Sequence, residues 1–162
     1  LRKIVQQLPA NVPILATTAT ANDRVIADLQ NQLGDKVYVS RGPLTRDSLY
    51  IQVLNKPDKI ERYAWILENV PKLEGSGIIY CLTQRDCDYL AEFLKKNKIS
   101  AAAYYSRDGE DGEKLNHEIE EKFRTNKLKV IVATIKLGMG YDKGDIAFVI
   151  HYQMPSNIVS YY

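Results

Sequence analysis

Apolar and polar positions alternate along this chain in two periods, and the period switches repeatedly between strand and helix. Residues 13–17 form a short apolar run that ends in small polar residues, which reads as a strand. Asn22 is placed to cap a helix whose apolar positions, Val25, Ile26, Leu29 and Leu33, follow helical spacing, and Gly34 is placed to end it. Residues 37–39 read as a strand, 41–45 as a connection, and 49–53 alternate like a strand. Pro57 opens a predicted helix containing Ile60, Ala64 and Leu67.

The pattern then tightens. Residues 77–82 are continuously apolar, as expected of a strand covered on both faces. Thr83 caps the next predicted helix, with Cys87, Leu90, Ala91 and Leu94 as its buried stripe. Strands are predicted at 101–105, 130–133 and 146–150, and a helix on which Leu115, Ile119 and Phe123 stack every fourth residue. Strand and helix alternating at this pace predict an α/β fold: a mostly parallel sheet with helices on both faces. Pro155-Ser156 begins a helix less than two turns from Tyr162, too short to be stable alone, so the sequence reads as cut within an element.

Composition narrows the function classes. At 162 residues, with 45% hydrophobic and 26% charged residues, the chain has room for one α/β domain and a little more. No apolar run has the length of a membrane span, and no membrane partner is expected. Cys81 and Cys87 fall in buried patterns and read as reduced structural thiols. The net charge of +2 argues against a nucleic-acid binder that uses its whole surface and leaves room for a local groove.

In open parallel sheets, ligands bind beyond the carboxyl ends of the strands. Those ends carry Thr17, Thr18 and Thr20; Thr83 and Gln84; Tyr105, Ser106 and Arg107; and Thr134 and Lys136, with Gly138-Met139-Gly140 just beyond. Hydroxyls, amides and cations at such ends suit phosphate oxygens, and glycines admit close backbone approach. Each feature alone is commonly just a helix cap or a turn. The chain has no G-x-x-x-x-G-K-[ST] phosphate loop and no Asp-Glu pair after an apolar strand. It is therefore not a self-sufficient NTPase of the phosphate-loop kind. Neither His117, on a solvated helix face, nor His151, at a strand end, has a partner set for a metal, and no metal site is expected.

Five segments together resemble one family. Leu15-Ala16-Thr17-Thr18-Ala19-Thr20-Ala21 resembles the third helicase motif of superfamily 2 in its RecQ form, and residues 77–81 resemble the fourth. Residues 99–105 resemble the strand that follows, 130–143 the fifth motif, and 149–162 the run leading into the sixth. The resemblance implies a RecQ-type ATP-dependent DNA helicase. In that family two RecA-like domains hold ATP between them and DNA across both. Residues 1–44 would be the tail of the first domain and 45–162 most of the second. The phosphate loop and magnesium-binding acidic box would precede residue 1, and the arginine finger would follow Tyr162.

Residue by residue, the resemblance implies that Thr18, Ala19 and Thr20 couple ATP state to DNA binding. Gly138, Gly140 and Asp142 would face the nucleotide, with Asp142 near the ribose. Thr83 and Gln84 would sit near the phosphates of single-stranded DNA and Thr134 would face the strand, with single-stranded and duplex DNA as the implied partners. ATP and Mg2+ are the implied cofactors, and the first RecA-like domain is the implied partner in cis. Action would be in the nucleoid of a bacterium or the nucleus of a eukaryote.

The sequence departs from the family pattern at three places. Tyr104-Tyr105-Ser106-Arg107 stands where Tyr-His-Ala-Gly is usual. Leu44-Thr45-Arg46-Asp47-Ser48 stands for Phe-Asp-Arg-Pro-Asn. Lys136 and Leu137 stand for the Ala-Phe before Gly-Met-Gly. Tyr105, Arg107 and Lys136 are thus expected as DNA contacts particular to this chain. The competing expectation is a degenerate RecA-like domain that serves only to dock DNA or protein.

Overall fold

The computed structural model defines residues 7–9, 11–18, 22–34, 37–42, 48–138 and 141–154. The chain divides into two compact units, residues 1–53 and 54–161. The expected boundary near residue 44 falls outside the described residues.

In the first unit, helix α1 (Asp23–Leu33) forms where the sequence places it. The Asn22 side chain accepts from the Val25 amide at 2.9 Å. Gly34 ends the helix at φ 100°, a conformation that a side chain would strain. The expected strands at 13–17, 37–39 and 49–53 are corrected here. Their described residues join no sheet, and Leu15, Tyr38, Tyr50 and Val53 stand largely exposed. An apolar alternation becomes a strand only when a neighbour supplies the ladder, and among the described residues none does.

The second unit carries the sheet. Its elements are α2 (Lys59–Asn69), β1 (Ser76–Tyr80), α3 (Gln84–Lys96), β2 (Ala101–Tyr104), α4 (Gly109–Arg124), β3 (Val130–Ala133) and β4 (Ile146–His151). The strand order is β2-β3-β1-β4 and every pairing is parallel. Ile78 pairs with Ile131 and Val149, and Ala102 with Ile131. At Gly77, the β1 partner of Phe148 in β4, an added Cβ would meet the Phe148 ring at 2.3 Å, so a larger residue there needs that ring to move.

Alternation along the strands sorts side chains into two cores. Ile79, Ala101, Ala103, Val130 and Val132 pack with Ile66, Val70 and the α3 stripe of Cys87, Leu90, Ala91 and Leu94. Ile78, Ala102, Tyr104, Ile131 and Ala133 pack with Ile119 and Phe123 of α4. The α/β expectation, helices on both faces of a parallel sheet, is met.

Local corrections follow from caps and burial. Asp58, not Pro57, opens α2: its carboxylate accepts from the Ile60 and Glu61 amides at 2.6 and 3.4 Å. The buried face of α2 is then Tyr63, Ile66 and Leu67, continuing to Val70, while Ile60 and Ala64 are exposed. On α4, Asn116 rather than Leu115 continues the stripe of Ile119 and Phe123. Strand β1 stops at Tyr80, and Leu82 turns out to solvent. Cys81 and Cys87 are buried free thiols, as expected.

Candidate functional site

The parallel sheet brings the carboxyl ends of β1, β2 and β3 side by side, since β3 lies between the other two. The β1 end runs into α3. Thr83 Oγ1 accepts from the Asp86 amide at 3.1 Å and donates to Asp86 Oδ2 at 2.8 Å. Gln153, just past β4, ties this turn from the other side. Its Nε2 donates to Asp86 Oδ2 at 2.8 Å, and its Oε1 accepts from the Leu82 amide at 3.0 Å. Gln84 Nε2 donates to the Ser106 carbonyl at 3.3 Å, joining the β1-end turn to the β2-end loop.

At the β2 end, the side chains that the sequence offers to DNA are held inside the loop. The Tyr105 hydroxyl bonds both Asp88 carboxylate oxygens, at 3.0 and 2.9 Å, and burial together with Asp88 raises its pKa. Arg107 donates from Nη1 to Asn116 Oδ1 at 2.6 Å and from Nη2 to the Ala103 carbonyl at 3.0 Å. Its guanidinium lies 4.0 Å from the Tyr105 ring centroid. Asn116 Nδ2 donates to the Tyr105 carbonyl at 3.0 Å. The Ser100 and Tyr104 carbonyls accept from β3-side amides, so those of Ala103 and Tyr105 face the sheet edge. Arg107 and Asn116 thus satisfy the outward carbonyls of an edge strand.

The β3 end is a tight turn. The Thr134 amide donates to the Tyr104 carbonyl at 3.2 Å, and the Leu137 amide to the Thr134 carbonyl at 3.2 Å. Leu137 is buried, and the Tyr80 hydroxyl donates to its carbonyl. Burial raises the Tyr80 pKa, and its ring stacks on His151 at 5.4 Å, where burial lowers the imidazole pKa. Lys136 is exposed, with Nζ 5.6 Å from the Tyr104 ring centroid. Gly138 and Asp142 are exposed on the same connection.

The fold therefore gathers Thr83, Gln84, Thr134 and Lys136, with Tyr105 and Arg107 in the adjoining loop. Thr18 belongs to the first unit, and Ala19, Thr20 and Gly140 lie outside the described residues. Four residues that sequence reasoning passed over shape this face: Tyr80, Asp86, Asn116 and Gln153. Only Asn116 left a signal, as a polar residue three positions before Ile119 on an apolar stripe. Among the described residues, no group of three or more His, Cys, Asp or Glu side chains is arranged to hold a metal ion, and no helix is long and apolar enough to cross a membrane.

Residues 58–162 match the family model of the helicase conserved C-terminal domain. The chain belongs to that family. Within it the similarity is to RecQ-type helicases. This helicase C-terminal domain, with the segment before it, is 36% identical over 163 residues to the RecQ-like DNA helicase BLM of Xenopus laevis, covering 98% of this chain and 12% of the relative. It is 34% identical over 165 residues to the ATP-dependent DNA helicase Q1 of Pongo abelii, covering 97% and 24%. The chain thus spans a quarter or less of these curated relatives. Among solved structures, S. cerevisiae Dbp5 bound to RNA and ADP BeF3 superimposes with a TM-score of 0.77 at 17% identity, covering 98% of this chain and 40% of that one. The yeast splicing factor Prp28 gives 0.57 at 20% identity, over 64% and 22%. These two likenesses support the RecA-like α/β fold.

Proposed function

We propose that this chain is part of a RecQ-type ATP-dependent DNA helicase, in which ATP hydrolysis drives translocation on DNA and its unwinding. Residues 1–44 are read as the tail of the first RecA-like domain, its partner in cis, and 45–162 as the second. The observation that carries this reading is the similarity to DNA helicases over nearly the whole chain, joined to a strand-end face that offers Lys136, Thr134 and Gln84. Phosphate contacts supply sequence-independent affinity, and a single lysine with hydroxyl and amide neighbours suits them. Tyr105 and Arg107 enter as the pair that shapes the β2-end loop, because their polar ends already have partners.

Thr18, Ala19 and Thr20 are read as the link between ATP state and DNA grip. Gly138, Gly140 and Asp142 are read as this domain's side of the nucleotide site. The exposed carboxylate of Asp142 and the exposed Gly138 fit the sugar and phosphate edge of ATP. Bound ATP supplies the free energy of the cycle. This reading assigns the ligands of Mg2+ to residues outside the chain. The curated relatives named above are vertebrate proteins, which favours a nuclear site of action.

The test is a titration of labelled single-stranded DNA against the full-length protein at several salt concentrations. Lys136→Ala is expected to weaken binding uniformly across sequences and to reduce the salt slope by about one. Unchanged affinity and slope would overturn the strand-end reading.

A further inference from the structure

The exit of β4 is anchored one residue before Gln153. The Tyr152 amide donates to the Tyr80 carbonyl at 2.9 Å, and the Tyr152 ring is buried. That ring lies 5.8 Å from the Tyr63 ring, with the Arg62 guanidinium 4.8 Å from its centroid. Gln153 therefore leaves a fixed backbone. Its side chain reaches back over the end of β1, to partners 67 and 71 positions earlier in the chain.

The chemistry of those partners admits one orientation of the Gln153 amide. Leu82 presents a backbone N–H, which only donates, and gives it to Gln153 Oε1 at 3.0 Å. Asp86 presents a carboxylate, which only accepts, and takes Gln153 Nε2 at 2.8 Å. The same carboxylate oxygen accepts from the Thr83 hydroxyl at 2.8 Å. One amide thus holds both ends of the segment that carries Thr83 and Gln84. Packing does not fix this segment, because Leu82, Thr83 and Gln84 are all exposed. From it, Gln84 Nε2 reaches the Ser106 carbonyl at 3.3 Å, so the line of hydrogen bonds runs from the β4 exit through the β1-end turn to the β2-end loop.

We propose that Gln153 is a positioning residue for DNA contact at the β1-end turn: it clamps Leu82 and Asp86 and so holds Thr83 and Gln84 in place, without touching the strand itself. The proposal rests on the strand-end reading and names a residue through which that face is kept in order. A loop fixed before binding removes its ordering cost from the binding step. Loss of the clamp therefore lowers affinity while the number of phosphates contacted by cations stays the same.

The experiment uses the full-length protein and its Gln153→Met, Gln153→Glu and Lys136→Ala variants. Labelled oligothymidylate is titrated at several salt concentrations, well below each Tm, and its stimulation of ATP hydrolysis is measured alongside. Gln153→Met keeps the side-chain length and neutrality and removes both hydrogen bonds. It is expected to weaken binding by roughly 2- to 10-fold, with the parent's salt slope. In the hydrolysis assay it should raise the half-saturating DNA concentration and leave kcat unchanged. Gln153→Glu sets a carboxylate against Asp86 and should weaken binding at least as much. A merely structural role would lower Tm and leave affinity below Tm at the parent's value, and that result refutes the proposal. Weaker binding by Gln153→Glu with parent-like binding by Gln153→Met would trace the effect to added charge and refute it too. If Lys136→Ala lowers affinity and slope while Gln153→Met binds as the parent does, the clamp is refuted and the strand-end reading stands. If neither changes affinity or slope, both are refuted.

Discussion

Replacing Arg107 by Ala separates a structural arginine from a DNA-binding one. The parent side chain makes two hydrogen bonds, to Asn116 Oδ1 at 2.6 Å and to the Ala103 carbonyl at 3.0 Å, and stacks on Tyr105. A hydrogen bond from a charged donor contributes about 1.5–3 kcal/mol, with partial exposure favouring the low end. Asn116 is only 4% exposed, so its oxygen, losing a partner, costs about 1–3 kcal/mol. These figures describe one event from two sides and do not add, so the expected loss of unfolding free energy is about 2 kcal/mol. For a domain of this size, that lowers Tm by about 10 °C. Arg107→Lys should recover only part of it, because an ammonium cannot serve both acceptors as the planar fork does. Urea unfolding followed by circular dichroism measures the loss. A salt titration of single-stranded DNA on the same variants, well below Tm, should show an unchanged slope. A parent-like Tm together with a slope reduced by about one would refute the reasoning and restore Arg107 as a phosphate contact.

Three further outcomes follow from the packing. Leu94→Ala, at a site with no exposure, should cost about 2–5 kcal/mol in urea unfolding, whereas Ile60→Ala, on the exposed face of α2, should cost little. The Tyr63 hydroxyl is pushed from its ordinary 10.0 to about 12, by burial first and then by Tyr152, Cys81 and Asp86. A raised folded-state pKa means that the stabilisation is intact below pH 10 and fades as pH climbs towards 12; Tyr63→Phe should flatten that part of a stability–pH curve, and an unchanged curve would speak against the cause. The hydrogen bond to Cys87, with burial, pushes the Cys81 thiol up, so a colourless-to-yellow thiol reagent at pH 8 should label neither cysteine until urea unfolds the domain.

Local chemistry was legible along the chain wherever one element decides it. Asn22, Thr83 and Gly34 cap helices for reasons contained in three or four neighbouring residues. The α3 stripe of Cys87, Leu90, Ala91 and Leu94 could be read because burial on one helix face imposes a period, and β1 and β3 because cover on both faces leaves a continuous apolar run. Where the competing signal was also local, as at Pro57 and Asp58, the choice went to the side chain able to accept from amides.

The tertiary structure decided what depends on distant neighbours. Residues 13–17, 37–39 and 49–53 carry strand-like patterns, yet pairing is a property of two segments, and no partner ladder meets them among the described residues. Arg107 looked like a phosphate ligand at a strand end, because nothing in its own neighbourhood shows that Asn116, on the following helix, and the outward carbonyl of Ala103 claim its donors. The sequence by itself determined the family, the parallel α/β fold and the strand ends that carry its chemistry, since period, caps and motif order are written along one dimension. Only folding decided which of those polar groups are spent on holding the loops and which, like Lys136, remain exposed for a ligand, because hydrogen bonds between residues far apart in the chain form in three dimensions.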